Sequence, residues 1–120
     1  MAKLIGLFSR KSGTSLEEFR DYYETRHAPF AVRHFGHLFA SYTRNYVTPD
    51  TEPGGGSRID VVTEIVFPDD ASMAAMFAMT REDPSLQQAI AEDEANFMDP
   101  EFRQVLLVHD ADQQSTRGIR

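Results

Sequence analysis

An imidazole set into an apolar stripe is the first candidate for chemistry in this sequence. Leu16, Phe19, Tyr23, His27 and Phe30 follow one another in steps of three and four, which places them along one edge of a helix. His27 is the member of that stripe able to exchange protons near neutral pH. Its other reading is a buried structural histidine bonded to a carbonyl or water. Pro29 could free such a carbonyl, because proline has no amide hydrogen to close the helical ladder. Tyr23 lies one helical turn before His27, close enough to share a cavity as hydroxyl donor or aromatic wall; a core tyrosine with its hydroxyl at the surface is the alternative. Asp93 comes three residues after Ile90 and four before Phe97, so helical spacing turns its carboxylate inward, where it needs a partner. That partner is His27, or else a backbone amide or an Arg that anchors the helix. Glu94 sits one position round the helix and is expected to face solvent. Asp99, just before Pro100, is a further candidate partner for His27 and could equally be a turn residue bonding to its own neighbours.

Other groupings offer no cofactor site. His34 and His37 have the i, i+3 spacing of metal ligands, but Gly36 ends the helix between them and no third ligand follows, so no metal is expected. Gly54, Gly55 and Gly56 lead into a strand, whereas a phosphate loop needs a helix N-terminus, and nucleotide cofactors lose their support. With no cysteine, the chain has no disulfide, iron–sulfur cluster, Cys-ligated zinc or thiolate nucleophile. Met73, Met76, Met79 and Phe77 read as adaptable core packing, with a pliable pocket wall as the other reading. His109 reads as a surface residue near a strand end.

Period and punctuation identify the elements that must hold these groups. In residues 3–10, Leu4 and Phe8 share one face while Ile5 and Leu7 share the other, as in a strand covered on both sides. Ser15 and Glu18 make a capping box, so a helix starts there; Pro29 interrupts it near Ala28 and Gly36 stops it. Residues 39–47 are rich in β-branched and aromatic side chains and read as a second strand, with Tyr42 and Asn45 on opposite faces. Residues 48–58 carry two prolines and three glycines and form a flexible loop. Ile59, Val61, Thr63, Ile65 and Phe67 alternate along a third strand. Helices follow at 71–80 and from Pro84, and FRQVLLVHD makes the last strand. The order βαββαβ is that of an α+β, ferredoxin-like fold with an antiparallel sheet. Its helices cover one sheet face, yet the first and last strands are apolar on both, and an identical subunit is the economical cover for the second.

A chain of 120 residues, 41% hydrophobic and 26% charged, fits one folded domain, here residues 3–110 with a polar tail at 111–120. Its net charge of −7 opposes binding to nucleic acid or to anionic membrane surfaces. No apolar run approaches the ~18 residues of a membrane-spanning helix, and the first ten residues lack a secretory pattern, so a cytoplasmic location is expected.

Two separated strings, LFSRKSGTSLEEFRDYYETRHAPF and AEDEANFMDPEFRQVLLV, resemble the opening and closing motifs of the EthD-like family, and residues 42–45 resemble its middle strand. Tyr46 stands where that family often has a histidine. The resemblance runs from about residue 3 to residue 108 and implies a dimeric α+β barrel with a ligand pocket between sheet and helices in each subunit. Several relatives look like small cofactor-free cyclases or dehydratases of polyketides and aromatic compounds. The resemblance thus supports His27 as acid–base, with Asp93 or Tyr23 orienting it and Glu94 a rival to Asp93. The expected protein is a homodimeric, cofactor-independent enzyme of an apolar or aromatic carbonyl metabolite. A non-catalytic dimer that shelters a hydrophobic ligand and a cofactor-free monooxygenase are the alternatives.

Overall fold

Residues 2–48 and 58–109 are described by the structure, a computed structural model. Strict alternation in β1 (Ala2–Phe8) decides how the layers stack: Ala2, Leu4, Gly6 and Phe8 are buried, while Lys3, Ile5 and Leu7 lie half-buried on the opposite side. Strand β3 (Val61–Phe67) repeats the pattern, with Val61, Thr63, Ile65 and Phe67 inward. The two strands run antiparallel in a register that sets Leu4 beside Ile65, Gly6 beside Thr63 and Phe8 beside Val61. A one-residue slip would turn every one of these side chains to the wrong face. Strand β4 (Gln104–His109) flanks β1, and β2 (Ser41–Tyr46) flanks β3, so the four-stranded sheet has the order β2-β3-β1-β4. That antiparallel order, with two helical crossovers, is the ferredoxin-like arrangement expected from the sequence.

The helices pack on the inward face of the sheet. Helix α1 (Leu16–Tyr22) opens with the capping box, in which the Ser15 hydroxyl accepts from the Glu18 amide at 3.0 Å and the Glu18 carboxylate accepts from the Ser15 amide at 3.1 Å. A five-residue π-helical segment, Tyr23–His27, joins it to α2 (Ala28–Phe35), and a short 3-10 turn at Gly36–Leu38 ends this crossover where the glycine was expected to end it. Asp69 caps α3 (Asp70–Glu82), and Asp83 caps α4 (Pro84–Ala95) by accepting from the amides of Ser85 and Leu86. Helix α3 starts one residue before and ends two residues after the stretch that the apolar spacing suggested, with the Asp69 cap fixing its start. Strand β2 starts two residues later than expected, since residues 36–38 are coiled into the 3-10 turn. Residues 49–57 of the glycine-rich loop and 110–120 of the tail lie outside the described residues.

Two buried clusters form the core. Ala2, Leu4, Phe35, Ile65, Phe67, Met76 and Leu86 make one; Phe8, Phe19, Tyr23, Ala28, Val61, Phe97 and Met98 make the other, under the first crossover. Each buried large apolar side chain contributes roughly 1.5–3 kcal/mol. Tyr42 and Val105 pack against both clusters, and a cavity lies where the two meet. Among the described residues no helix is long and apolar enough to cross a membrane.

Candidate functional site

The π-helical segment lies immediately before the break that Pro29 makes in the helical ladder. In an α-helix the missing amide of Pro29 would orphan the carbonyl of Thr25. The chain is wound in i→i+5 fashion just before the proline, where the Ala28 amide donates to the Tyr23 carbonyl. Tyr23 and His27 stand at the two ends of this segment, their rings edge to face at 5.0 Å.

Helix α4 brings Asp93 to His27. Leu86 and Phe97 bury the inward stripe of α4 and its extension, and Asp93 belongs to that stripe. One carboxylate oxygen of Asp93 bonds the Nδ1 of His27, and the other accepts from the Tyr22 hydroxyl at 2.8 Å. Asn96 in turn donates to the Tyr22 oxygen at 2.9 Å, and Phe97 stacks on the Tyr22 ring at 4.8 Å. The side chains of His27 and Asp93 keep only 12% and 13% of their exposure, so the pair is shielded but not sealed. With Nδ1–H directed at Asp93, the neutral ring leaves Nε2 as an unprotonated base. Burial, followed by the bond to Asp93, raises the Tyr22 phenol above its ordinary pKa, which keeps it a donor.

His27 forms part of the wall of a cavity of about 210 Å³ between the sheet and α2, α3 and α4. Leu4, Phe8, Phe35, Ile65, Met76 and Phe77 supply much of its apolar surface. Gly6 helps shape it, because a Cβ at that position would overlap the Phe8 ring. Polar groups enter at defined places. Tyr23, Tyr42 and Thr63 all line the cavity, and their hydroxyls form a chain: Tyr42 donates to Tyr23 at 3.3 Å, and Tyr23 lies 2.6 Å from the Thr63 oxygen. If Tyr23 gives its single hydrogen to Thr63, the Thr63 hydrogen is the one donor not used within the chain. Burial pushes both phenols above their ordinary pKa, so they are neutral donors at physiological pH. A base on one wall and hydroxyl donors on another are the groups that proton transfer beside a carbonyl requires.

A charged buttress holds the outer edge. The Arg44 guanidinium grips both carboxylate oxygens of Glu24, at 3.0 and 2.8 Å, and donates to the Tyr42 carbonyl at 3.0 Å. Tyr46 donates to Glu24 at 2.6 Å. The hydrogen bonds from Arg44 depress the Glu24 pKa, and burial raises that of Tyr46. Tyr46 thus fastens the first crossover to β2 and does not line the cavity.

The structure therefore brings His27 and Asp93 into direct contact, whereas the Tyr23 hydroxyl is directed at Thr63 and Tyr42; only the Tyr23 ring touches His27. Neither of the bland expectations for Tyr23 and Glu94 describes them. Tyr23 is fully buried and not at the surface. Glu94 is half-buried on the cavity wall, where it pairs with Arg103 at 2.8 Å, because the turn after α4 carries Arg103 back beside it. Asp99 accepts from the Glu101 amide at 2.9 Å, as a turn residue would. His34 packs against Phe30 and Phe35, and no cluster of metal-ligating side chains occurs among the described residues. Met76 and Phe77 serve both as core and as cavity wall. Of Tyr42 and Asn45, which strand parity sends to opposite faces, Tyr42 is the one on the cavity; Tyr22, Thr63 and Arg103 were not singled out as site residues by sequence reasoning, and for Thr63 the signal was a polar residue at an inward strand position.

An EthD domain family model matches residues 11–101. No curated protein matches the chain. Solved structures do: an EthD family protein of Bacillus halodurans superposes with a TM-score of 0.63 at 19% identity, over 92% of this chain and 99% of that one. An EthD-like protein of Ralstonia eutropha gives 0.65 at 16% identity, over 97% of this chain and 96% of its own. A protein of Bacteroides fragilis, described as dimeric with a ferredoxin-like fold, gives 0.55 at 14% identity, over 91% of this chain and 95% of its own. At such identities the likeness is one of fold.

Proposed function

The chain belongs to the EthD family, and we propose that the cavity beside His27 is the active site of a cofactor-independent enzyme acting on an apolar or aromatic carbonyl compound. The observation that carries this reading is His27, bonded through Nδ1 to Asp93, in the wall of a largely apolar cavity. Desolvation there strengthens every charge interaction that a transition state develops. Nε2 of His27 takes a proton from the carbon next to the substrate carbonyl, and Asp93 stabilises the imidazolium that results. The electron pair moves onto the carbonyl oxygen, which a hydroxyl of the Tyr42, Tyr23 and Thr63 chain receives as an enolate. Return of the proton to another carbon completes an isomerisation. Transfer to a departing hydroxyl completes a dehydration, and attack of the enolate carbon on a second carbonyl closes a ring, the imidazolium returning its proton to the alkoxide that forms. All three outcomes use the same base and the same donors.

The working unit is a homodimer in this reading. Ile5, Leu7, Val62, Val66, Leu106 and Val108 lie on the sheet face that the helices leave bare, and Leu106 is 38% exposed in the single chain. A second copy covers that face, which agrees with the dimeric description of the Bacteroides fragilis relative.

Hydrogen exchange tests the chemistry before the full reaction is known. Aromatic and polyketide-like ketones are incubated with the protein in deuterated water, and exchange of the hydrogens next to the carbonyl is followed by NMR. Exchange above the buffer rate is the expected result. Retention of a ketone in native mass spectrometry with no exchange for any compound would favour the sheltering module over the enzyme.

A further inference from the structure

A second charge pair at the cavity is not used by the proton transfer just described. Glu94 and Arg103 line the His27 cavity and also an outer groove bounded by Lys11, Ala91, Met98 and Pro100. They therefore stand on the partition between the two spaces. The contact has the fork geometry by which a guanidinium holds any carboxylate, with Arg103 Nε at 2.8 Å from one oxygen of Glu94 and Nη2 at 3.2 Å from the other. Arg103 keeps 39% of its side-chain exposure against 18% for Glu94, so the cation is reached from outside while the anion is tucked in.

We propose that this pair is a charge-paired door to the cavity, and that Arg103 takes the carboxylate of an incoming ligand whose remaining part is apolar or aromatic. The inference rests on the reading of the cavity as a substrate site and narrows the substrate to an amphiphile with one anionic end. Three observations support it. Arg103 is the only lysine or arginine among the described residues that line the cavity. The outer groove sets two cations, Lys11 and Arg103, against the single anion Glu94, in a chain whose net charge is −7. An anionic ligand is steered to such a spot and repelled elsewhere. Exchange of Glu94 for a ligand carboxylate keeps the guanidinium paired, so opening the door leaves no buried charge without a partner. The freed Glu94 then has Lys11 on the same groove as a neighbouring cation. The inner space suits the apolar end: an apolar cavity of about 150 Å³ is enough to take up benzene, and this one measures about 210 Å³.

Benzoate and benzamide have nearly the same shape and differ in charge, so they form the test. Their affinities for the intact protein are measured by NMR titration at low salt, followed by the same measurement on Arg103→Gln, Glu94→Gln and His27→Gln. The proposal expects benzoate to bind at least roughly tenfold more tightly than benzamide, a preference that 1 M salt weakens. Glu94→Gln removes the internal competitor and should tighten benzoate several-fold with little change for benzamide. Arg103→Gln should abolish the preference, and His27→Gln should retain it. Equal affinity of the two probes for the unmodified protein overturns the door and leaves the cavity reading standing; this comparison needs no variant to fold. Loss of the preference in His27→Gln, with retention in Arg103→Gln, overturns it as well, by assigning the anion to His27. Binding of neither probe at millimolar concentration overturns both the door and the substrate cavity.

Discussion

Asp93 holds the Nδ1 edge of His27 across 66 positions of sequence, and its second oxygen is held by Tyr22, the residue five places before that histidine. The imidazole is thus oriented by the packing of α4 against the π-helical segment, and its exposed chemistry at Nε2 depends on an arrangement that exists only in the folded chain.

A carboxylate can accept from these two donors on separate oxygens; an amide has only one oxygen to offer them. Asp93→Asn offers a single acceptor oxygen to His27 and Tyr22 and sets its NH2 group against one of them. We expect turnover to fall by roughly two orders of magnitude or more while the fold persists. Tyr22→Phe removes one hydrogen bond to a charged group and should cost roughly tenfold. The two losses should not add in the double variant, since both act through the same carboxylate. Kinetics on the single and double variants, with circular dichroism as a control for folding, provide the check.

All four tyrosines have phenols raised above their ordinary pKa of 10.0, with burial the leading cause in each. A raised folded pKa favours the neutral phenol, so the contribution to stability is complete below pH 10 and is lost as the pH climbs through the folded values. Phenolate absorbance at pH 10 should therefore be lower in the native protein than in the unfolded chain, and should rise on unfolding. A titration in which half the signal develops at pH 10 with the fold intact would contradict this packing.

Glu24 titrates in the opposite sense. Its hydrogen bonds from Arg44 lower its pKa from the ordinary 4.5. The stabilisation is present above that ordinary value and disappears as the pH falls from it through the depressed folded value. Arg44→Met should flatten this part of the acid limb in a plot of melting temperature against pH, and Glu24→Gln should do the same. An unchanged acid limb in both variants would show that the buttress carries no linked protonation.

Much of this architecture is legible in the sequence because local chemistry and long-range packing agree there. The Ser15 and Glu18 capping box, the alternation through β1 and β3 and the stop at Gly36 each need only nearest neighbours to be recognised. Asp93 was also legible as an inward carboxylate, since Ile90 and Phe97 define its stripe. Tyr22 was not, because on the helix it lies about 100° away from Tyr23 and off the apolar edge; α4 approaches from that side. Pro29 announces a break in the ladder but does not choose between a kink and an i→i+5 segment. Glu94 looks solvent-facing until the turn at Asp99 and Pro100 returns Arg103 to it. The cavity itself is space left over by packing, to which no single residue points.

The bare sheet face gives a prediction about assembly. Light scattering at micromolar concentration should find a particle of two chains, with more than ~1,200 Å² buried in total. Val62 lies on the outer face of the interior strand β3, paired with Leu7. Val62→Lys should separate the dimer into folded monomers, because an ammonium cannot be buried unpaired at the centre of an interface. A wild-type monomer, or a Val62→Lys dimer of undiminished affinity, would contradict the account.

The central claim is that His27 moves the proton. Its most direct test is the rate of hydrogen exchange beside the carbonyl of a ketone that the wild-type protein processes in deuterated water, measured on His27→Gln together with the melting temperature of the same preparation. Glutamine can still donate to Asp93 but has no basic nitrogen for the substrate. The account predicts a folded variant whose exchange rate is lower by roughly two to four orders of magnitude. A folded variant that exchanges as fast as wild type would contradict it.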